Sequence, residues 1–272
     1  MKASGISIAA IAAQLRAAGC VFAEEEAELL IEAAATSGDR PSEASAAARL
    51  AELAARRCSG EPLEQIVGWA AFCGLRIAVG PGVFVPRRRS EFLVETALTH
   101  ARDATTVLDL CCGVAPFATA LATQLPSADI HAADIDPNQT AYARRNLAPF
   151  GGRAHVHEGD LYAALPNRLR AAVDLLVVNA PYVPTSAIAT LPAEARSYEP
   201  LTSLDGGSDG LDLHRRIAAG APDWLAPGGR VLIETSDEQA GTTFAAFQQA
   251  GLDVRIVEDE DLGATVVIAT PS

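Results

Sequence analysis

Val173-Asp174-Leu175-Leu176-Val177-Val178-Asn179-Ala180-Pro181-Tyr182 reads as a buried strand that stops abruptly on a polar residue, a proline and an aromatic. Leu175 to Val178 form an unbroken apolar run, which suits a central parallel strand covered on both faces. Pro181 has no N–H to give to a ladder and drives Ala180 out of helical geometry, so the strand ends there. Asn179 is left at the carboxyl end of the strand, where open α/β sheets bind ligands. Its side chain carries one acceptor oxygen and two donor hydrogens in a planar fork, and Tyr182 offers a flat face beside it. The pair suits a planar –NH2 group, in an amide or a nucleobase. An ordinary strand and proline turn would explain the same residues; the rest of the chain decides.

Upstream, Val107-Leu108-Asp109-Leu110 is a strand and Cys111 to Ala115 a turn, with Pro116 opening a helix to about Leu125. Ile130 to Ala133 is a second strand, ending on Asp134. That acid lies about 20 residues beyond Gly113, the spacing at which a carboxylate bonds a nucleotide ribose. Asp136-Pro137 starts a helix through Leu147, and Ala154 to Val156 is a short strand ending near Gly159-Asp160-Leu161. Downstream of Tyr182 comes a long loop, Pro184 to Asp209. Leu211 to Ala219 is a helix, Arg230 to Glu234 a strand, Thr242 to Ala250 a helix, and Leu252–Val257 with Thr265–Ala269 a closing pair of strands. This alternation predicts an α/β domain with a mostly parallel sheet and helices on both faces. NAD, FAD and S-adenosylmethionine all suit such a unit. The turn keeps only Gly113 and lacks G-x-G-x-x-G, which counts against a dinucleotide.

Ile6 to about Arg57 reads as helical, with Ile8, Ile11, Ala12 and Leu15 on one face and a break at Gly38, Pro41 and Ser42. A module of roughly 60 residues buries little core unless it packs on its neighbour; docking or substrate selection is its expected role, structural support the alternative. Ala70 to Val79, broken at Gly74, reads as a hairpin. Val83-Phe84-Val85-Pro86 and Arg87 to Arg89 follow, and Ser90 stands as an N-cap for a helix from Phe92 to Ala101. The arginine run, placed between two domains, is expected to face a bound anion with at least one side chain.

The chain has 272 residues, a net charge of −13 and 20% charged residues, a balance that disfavours nucleic acid as a direct substrate. Five cysteines without a CxxC pair predict reduced thiols, with Cys111 and Cys112 as small buried thiols lining a loop. Lys2 and the apolar Ile6–Ala13 resemble a signal peptide, but Gln14 and Arg16 interrupt the run and no stretch reaches membrane-spanning length, so a cytoplasmic location is expected. His155 and His157 share a strand face without an evident ligand cluster, and no metal site is expected.

Together these segments resemble the HemK/PrmC family of S-adenosylmethionine-dependent protein-glutamine N5-methyltransferases, over essentially the whole length. Gly60-Glu61-Pro62-Leu63 and Pro81 to Arg87 resemble the family's inter-domain region. Val107 to Leu110 resembles its motif I, Asp134 its ribose-binding acid and Gly159-Asp160-Leu161 its adenine-side motif. Asn179-Ala180-Pro181-Tyr182 resembles its N-P-P-Y. Tyr198-Glu199-Pro200 and Asp205 to Asp212 resemble its substrate-side loop, the most specific signal. The resemblance implies a Rossmann-like methyltransferase domain (residues 87–272), preceded by a small helical domain (1–68) and a β-hairpin linker (69–86).

It also implies roles. Asp109 and Gly113 would line the methionine part of S-adenosylmethionine, Asp134 its ribose hydroxyls, and Asp160 with Leu161 its adenine. Cys111 and Ile135 join this set, while Phe84, Arg87 and Ser90 approach from the linker. The acceptor would meet Asn179, Pro181, Tyr182 and Glu199, and catalysis would rest on Asn179, Ala180, Pro181 and Tyr182. The Asn179 oxygen and the backbone oxygen of Ala180 would each accept one N–H of the acceptor amide. The implied substrate is the GGQ glutamine of a peptide-chain release factor, which places the chain in translation termination.

The chain departs from the family at Ala180, which replaces a proline, and at Cys111 and Ala115, which replace motif I glycines and are expected to narrow the turn. Arg88-Arg89-Ser90-Glu91 stands for P-E-T-E, and Glu234-Thr235-Ser236-Asp237 for an E-I-G turn. These mark a divergent member. The rival readings are an adenine amino-group methyltransferase, a small-molecule methyltransferase and a non-catalytic cofactor-binding protein.

Overall fold

The computed structural model describes residues 8–36 and 43–272. The signal-like residues Lys2 and Ile6 and the break at Gly38, Pro41 and Ser42 lie outside the described residues. Helices α1 (Ile8–Ala17), α2 (Ala23–Thr36) and α3 (Glu43–Cys58) turn Ile11, Leu15, Leu30 and Leu53 into one apolar cluster, which a short α4 (Leu63–Val67) closes with Ile66. Gly68, at φ 87°, ends α4 in the left-handed region and starts the hairpin of β1 (Trp69–Phe72) and β2 (Leu75–Ala78). Phe72 and Ile77 of the hairpin are fully buried in the core of the following sheet, so the hairpin is fastened there by apolar burial.

The remaining elements are α5 (Glu91–His100), β3 (Thr106–Leu110), α6 (Pro116–Gln124), β4 (Asp129–Asp134), α7 (Pro137–Leu147) and β5 (Ala154–Glu158). After them come β6 (Val173–Val178), α8 (Ala193–Tyr198), α9 (Asp212–Trp224), β7 (Leu225–Thr235), α10 (Asp237–Gln249), β8 (Leu252–Asp259) and β9 (Ala264–Pro271). Seven strands form one sheet in the order β5-β4-β3-β6-β7-β9-β8, parallel except for β9, which runs against both neighbours. The fold is α/β with a Rossmann-like parallel sheet. Within β6, Leu175 and Val177 point into one apolar layer while Val173, Leu176 and Val178 point into the other. Both faces are covered, which is why the run carries no polar alternation. β3 pairs with β4 on one side and β6 on the other, so the chain order reverses between β3 and β6. Their carboxyl ends open a crevice at that reversal, the place where such sheets take ligands.

Some expectations change. Ser90 does not cap α5: it sits at φ −70°, ψ −9° within a 3-10 turn, Arg88–Ser90, and makes no capping bond. Asp136 does cap, accepting from Asn138 N at 2.8 Å at the start of α7. The stretch from Pro184 to Asp209 is not a plain loop but holds two 3-10 turns and α8. It forms a strap, tied back to the strand end by Val183 N to Leu204 O (3.0 Å) and Gly206 N to Val183 O (2.9 Å). His155 and His157 also do not stand apart from other ligands: Asp129 and His131 of β4 lie directly beside them.

Candidate active site

The crevice is a cavity of about 870 Å³, the size of a small-molecule or cofactor pocket (roughly 300–1,000 Å³). One wall is built by strand ends. The turn after β3 brings Cys111, Cys112, Gly113 and Val114 to the cavity, the end of β4 brings Asp134 and Ile135, and the end of β5 brings Gly159, Asp160 and Leu161. The end of β6 supplies Asn179, Ala180, Pro181 and Tyr182. The opposite wall comes from the linker, through Phe84, Arg87, Arg89 and Ser90, and from the strap. Two residues expected at the site lie outside the wall, Asp109 and Glu199; both are buried behind it.

The glycine-poor turn keeps a glycine-like backbone. Cys111 (φ 59°), Gly113 (φ 55°) and Ala115 (φ 61°) all lie in the left-handed region, at a cost of about 1–2 kcal/mol for each residue that carries a Cβ. The turn is therefore strained at Cys111 and Ala115 where a narrowing was expected. It is held by Cys112 N to Ala133 O (3.0 Å) and by Gly113 N to Asp134 Oδ2 (2.8 Å). Burial pushes the thiols of Cys111 and Cys112 well above the usual range, which disfavours their thiolate forms.

Asp134 also accepts from Asp136 N through Oδ1 at 2.9 Å, which fixes its carboxyl plane at the strand end. Burial raises its pKa, partly offset by these backbone donors. Asp109 is fully buried beneath the turn. Its Oδ2 accepts from Ala118 N (3.0 Å) at the head of α6, and its Oδ1 has no partner among the described residues. Burial lifts its pKa to about 8. Asp160 is paired with Arg216 of α9 at 2.7 Å. Ile135 is 57% exposed beside Asp134, an apolar side chain left bare at the cavity wall.

At the other end of the cavity, Asn179 Nδ2 donates to Ser90 Oγ at 3.4 Å. Among the described residues, neither Asn179 Oδ1 nor the Ala180 carbonyl accepts a hydrogen bond. Tyr182 is oriented by its phenol, which accepts from Arg89 Nη2 at 2.7 Å, and by its carbonyl, which accepts from Gln239 Nε2 at 2.9 Å. Arg89 also reaches Glu234 Oε1 at 3.4 Å. Glu234 is almost fully buried, which raises its pKa, with Arg89 pulling the other way. Glu199 holds Arg87 through both carboxylate oxygens at 2.6 Å and accepts from Val85 N at 3.2 Å, so it clamps the linker to the strap.

Sequence reasoning missed Gln139 and Arg89. Gln139 projects from α7, accepts from Phe84 N (3.2 Å) and donates to Ser203 Oγ (2.6 Å), joining linker, strap and strand-end wall in one side chain. A polar residue in an amphipathic helix carries no mark of that use. Arg89 was visible only as one of three arginines.

Residues 74–195 match the family model "Methyltransferase small domain". A release factor glutamine methyltransferase of Geobacter sulfurreducens is 41% identical over 213 residues, 78% of this chain and 74% of that protein. One from Mycolicibacterium smegmatis is 38% identical over 268 residues, 94% of this chain and 92% of that protein. Among solved structures, a methyltransferase from Pyrococcus furiosus superposes with a TM-score of 0.56 at 18% identity, covering 79% of this chain and 95% of that one, a likeness of fold.

Proposed function

We propose, because the chain belongs to the release factor glutamine methyltransferase family, that it methylates the side-chain amide nitrogen of a protein glutamine, with a release-factor glutamine as the leading acceptor. It is an S-adenosylmethionine-dependent methyltransferase, and the residues of the cavity fit that cofactor. Asp134 offers two carboxylate oxygens to a ribose, Ile135 and Leu161 offer apolar contact to a flat ring, and Gly113 lets the backbone turn approach closely. When bound, S-adenosylmethionine supplies an electrophilic methyl group.

The observation that carries the reading is the pair of acceptors at the end of β6, the Asn179 side-chain oxygen and the Ala180 carbonyl, both without donors among the described residues and both belonging to residues that line the cavity. An amide nitrogen is a weak nucleophile because its lone pair is delocalised. Two acceptors that take its two N–H groups orient it and favour the form in which the lone pair is free, so positioning and electrostatics do the catalysis. Ser90, from the facing wall, takes the Asn179 amide nitrogen as a donor and leaves the amide oxygen unengaged. Tyr182, held by Arg89, packs beside the acceptor plane. Ala180 keeps the carbonyl that the family's proline would carry. On this reading Glu199 acts from outside the wall, through Arg87, and Asp109 through the turn it supports. Residues 1–68, 69–86 and 87–272 then divide the work into a docking module, a linker wall and the transfer domain.

The test is mass spectrometry of an unmethylated release factor incubated with the protein and S-adenosylmethionine. One added methyl on the GGQ glutamine, absent with Asn179→Ala, is expected. No methyl despite measured cofactor binding would overturn the release-factor assignment.

A further inference from the structure

Away from the cavity, the outer edge of the parallel sheet gathers four polar side chains that the transfer reaction leaves unused. Asp129 and His131 are two apart on β4, and His155 and His157 are two apart on β5. His131 is in register with His155, so all four share one face. Asp129 Oδ2 lies 3.1 Å from His131 Nε2, and Asp129 Oδ1 lies 3.0 Å from His155 Nε2. The imidazoles of His131 and His155 stack at 4.8 Å. On the far side, His131 Nδ1 lies 3.0 Å from His157 Nε2.

We propose that Asp129, His131 and His155 bind one divalent transition-metal ion of the Zn²⁺ class, with His157 holding the His131 ring in the ligating orientation. Two ligands at about 2.0–2.1 Å from a tetrahedral ion stand about 3.3 Å apart, close to the carboxylate–imidazole separations here; the three ligand atoms lie within 4.8 Å of one another, and the stacked imidazoles must tilt toward each other to share the ion. A set of two imidazole nitrogens and one carboxylate suits Zn²⁺, Co²⁺ or Ni²⁺ over Ca²⁺ or Mg²⁺.

The tautomers supply the second argument. If His131 donates from Nδ1 to His157, its Nε2 turns a lone pair toward Asp129, and two acceptors face each other across 3.1 Å until a cation enters. Such outer partners commonly fix a ligating histidine. If the proton sits on Nε2 instead, the same network closes without metal. The ion and that proton therefore compete for one place. The nearby Arg168 charge opposes a cation and Asp129 favours it. The partly exposed side chains of Asp129 and His155 place the ion on the solvent side, with outward positions left for water.

The experiment uses the untagged full chain, stripped with chelator, then titrated with Zn²⁺ by calorimetry and with Co²⁺ by visible absorption. One equivalent is expected. Asp129→Ala and His155→Ala, which both change partly exposed residues, should each weaken binding at least about 10-fold, and His157→Phe by about 10-fold. Cofactor binding serves as the check that the variants fold. Absence of saturable Zn²⁺ binding overturns the proposal. So does binding that survives both Asp129→Ala and His155→Ala, since side chains elsewhere would then be holding the ion.

Discussion

Asn179 and Asp109 show how single polar atoms at strand ends divide the labour. Replacing Asn179 by Ala removes one of two acceptors for the amide, and a loss of such preorganised hydrogen bonding costs about 10²–10³ in kcat. Single-turnover methyl transfer should fall by that amount while the cofactor dissociation constant changes less than about threefold; transfer at the parental rate would sink the mechanism. Asp109 makes a different prediction. With its folded pKa near 8 and an unfolded value near 3.9, the folded chain holds one proton more than the unfolded chain between those limits. Its contribution is therefore complete below about pH 4 and is lost as pH rises through 8. Asp109→Asn, which can still accept from Ala118 N, should flatten the decline in unfolding free energy between pH 5 and 8. Denaturant melts at three pH values would show it, and an unchanged slope would assign the decline to other groups. The position of Asp134 and Asn179 at strand ends was legible in the sequence, because each follows an apolar run. Ser90 was misread because a Ser before a helix looks like a cap whether or not it serves as one, and here its hydroxyl meets Asn179.

At the scale of elements, the strap between β6 and α9 depends on close backbone packing. A Cβ on Gly206 would lie 2.2 Å from Gly210 O and 2.7 Å from Pro181 O, and neither atom can move without shifting the acceptor wall. Gly206→Ala should destabilise the chain by about 1–3 kcal/mol and raise the acceptor KM more than the cofactor dissociation constant. Thermal melts and initial-rate kinetics measure both, and an unaffected KM would detach the strap from acceptor binding. The strands and long helices were legible from their periodicity. The strap's inner structure was not: α8 has six residues and no buried stripe, so its helicity follows from tertiary contact. The end of α9 was likewise placed too early, since the helix carries Pro222 through to Trp224.

Across the whole molecule, the helical module reaches the strap through a few polar ties. Gln65 of α4 donates to Val83 O at 2.9 Å and to Tyr198 O at 3.3 Å, and Arg57 of α3 reaches Glu194 at 3.5 Å. Gln65→Ala should cost about 1–2 kcal/mol of stability and raise the acceptor KM several-fold with kcat preserved; no effect on KM would confine the tie to stability. Sequence alternation announced a parallel sheet, but the packing of the hairpin against it depends on contacts distant in the chain, such as Phe72 with Phe117 at 5.7 Å. The two sides of the cavity thus come from different parts of the polypeptide. One is set by the central strands, where any change disturbs the core, and the other by residues 84–90 and the strap. Change in acceptor choice can therefore proceed on the second side without disturbing the sheet that holds the first.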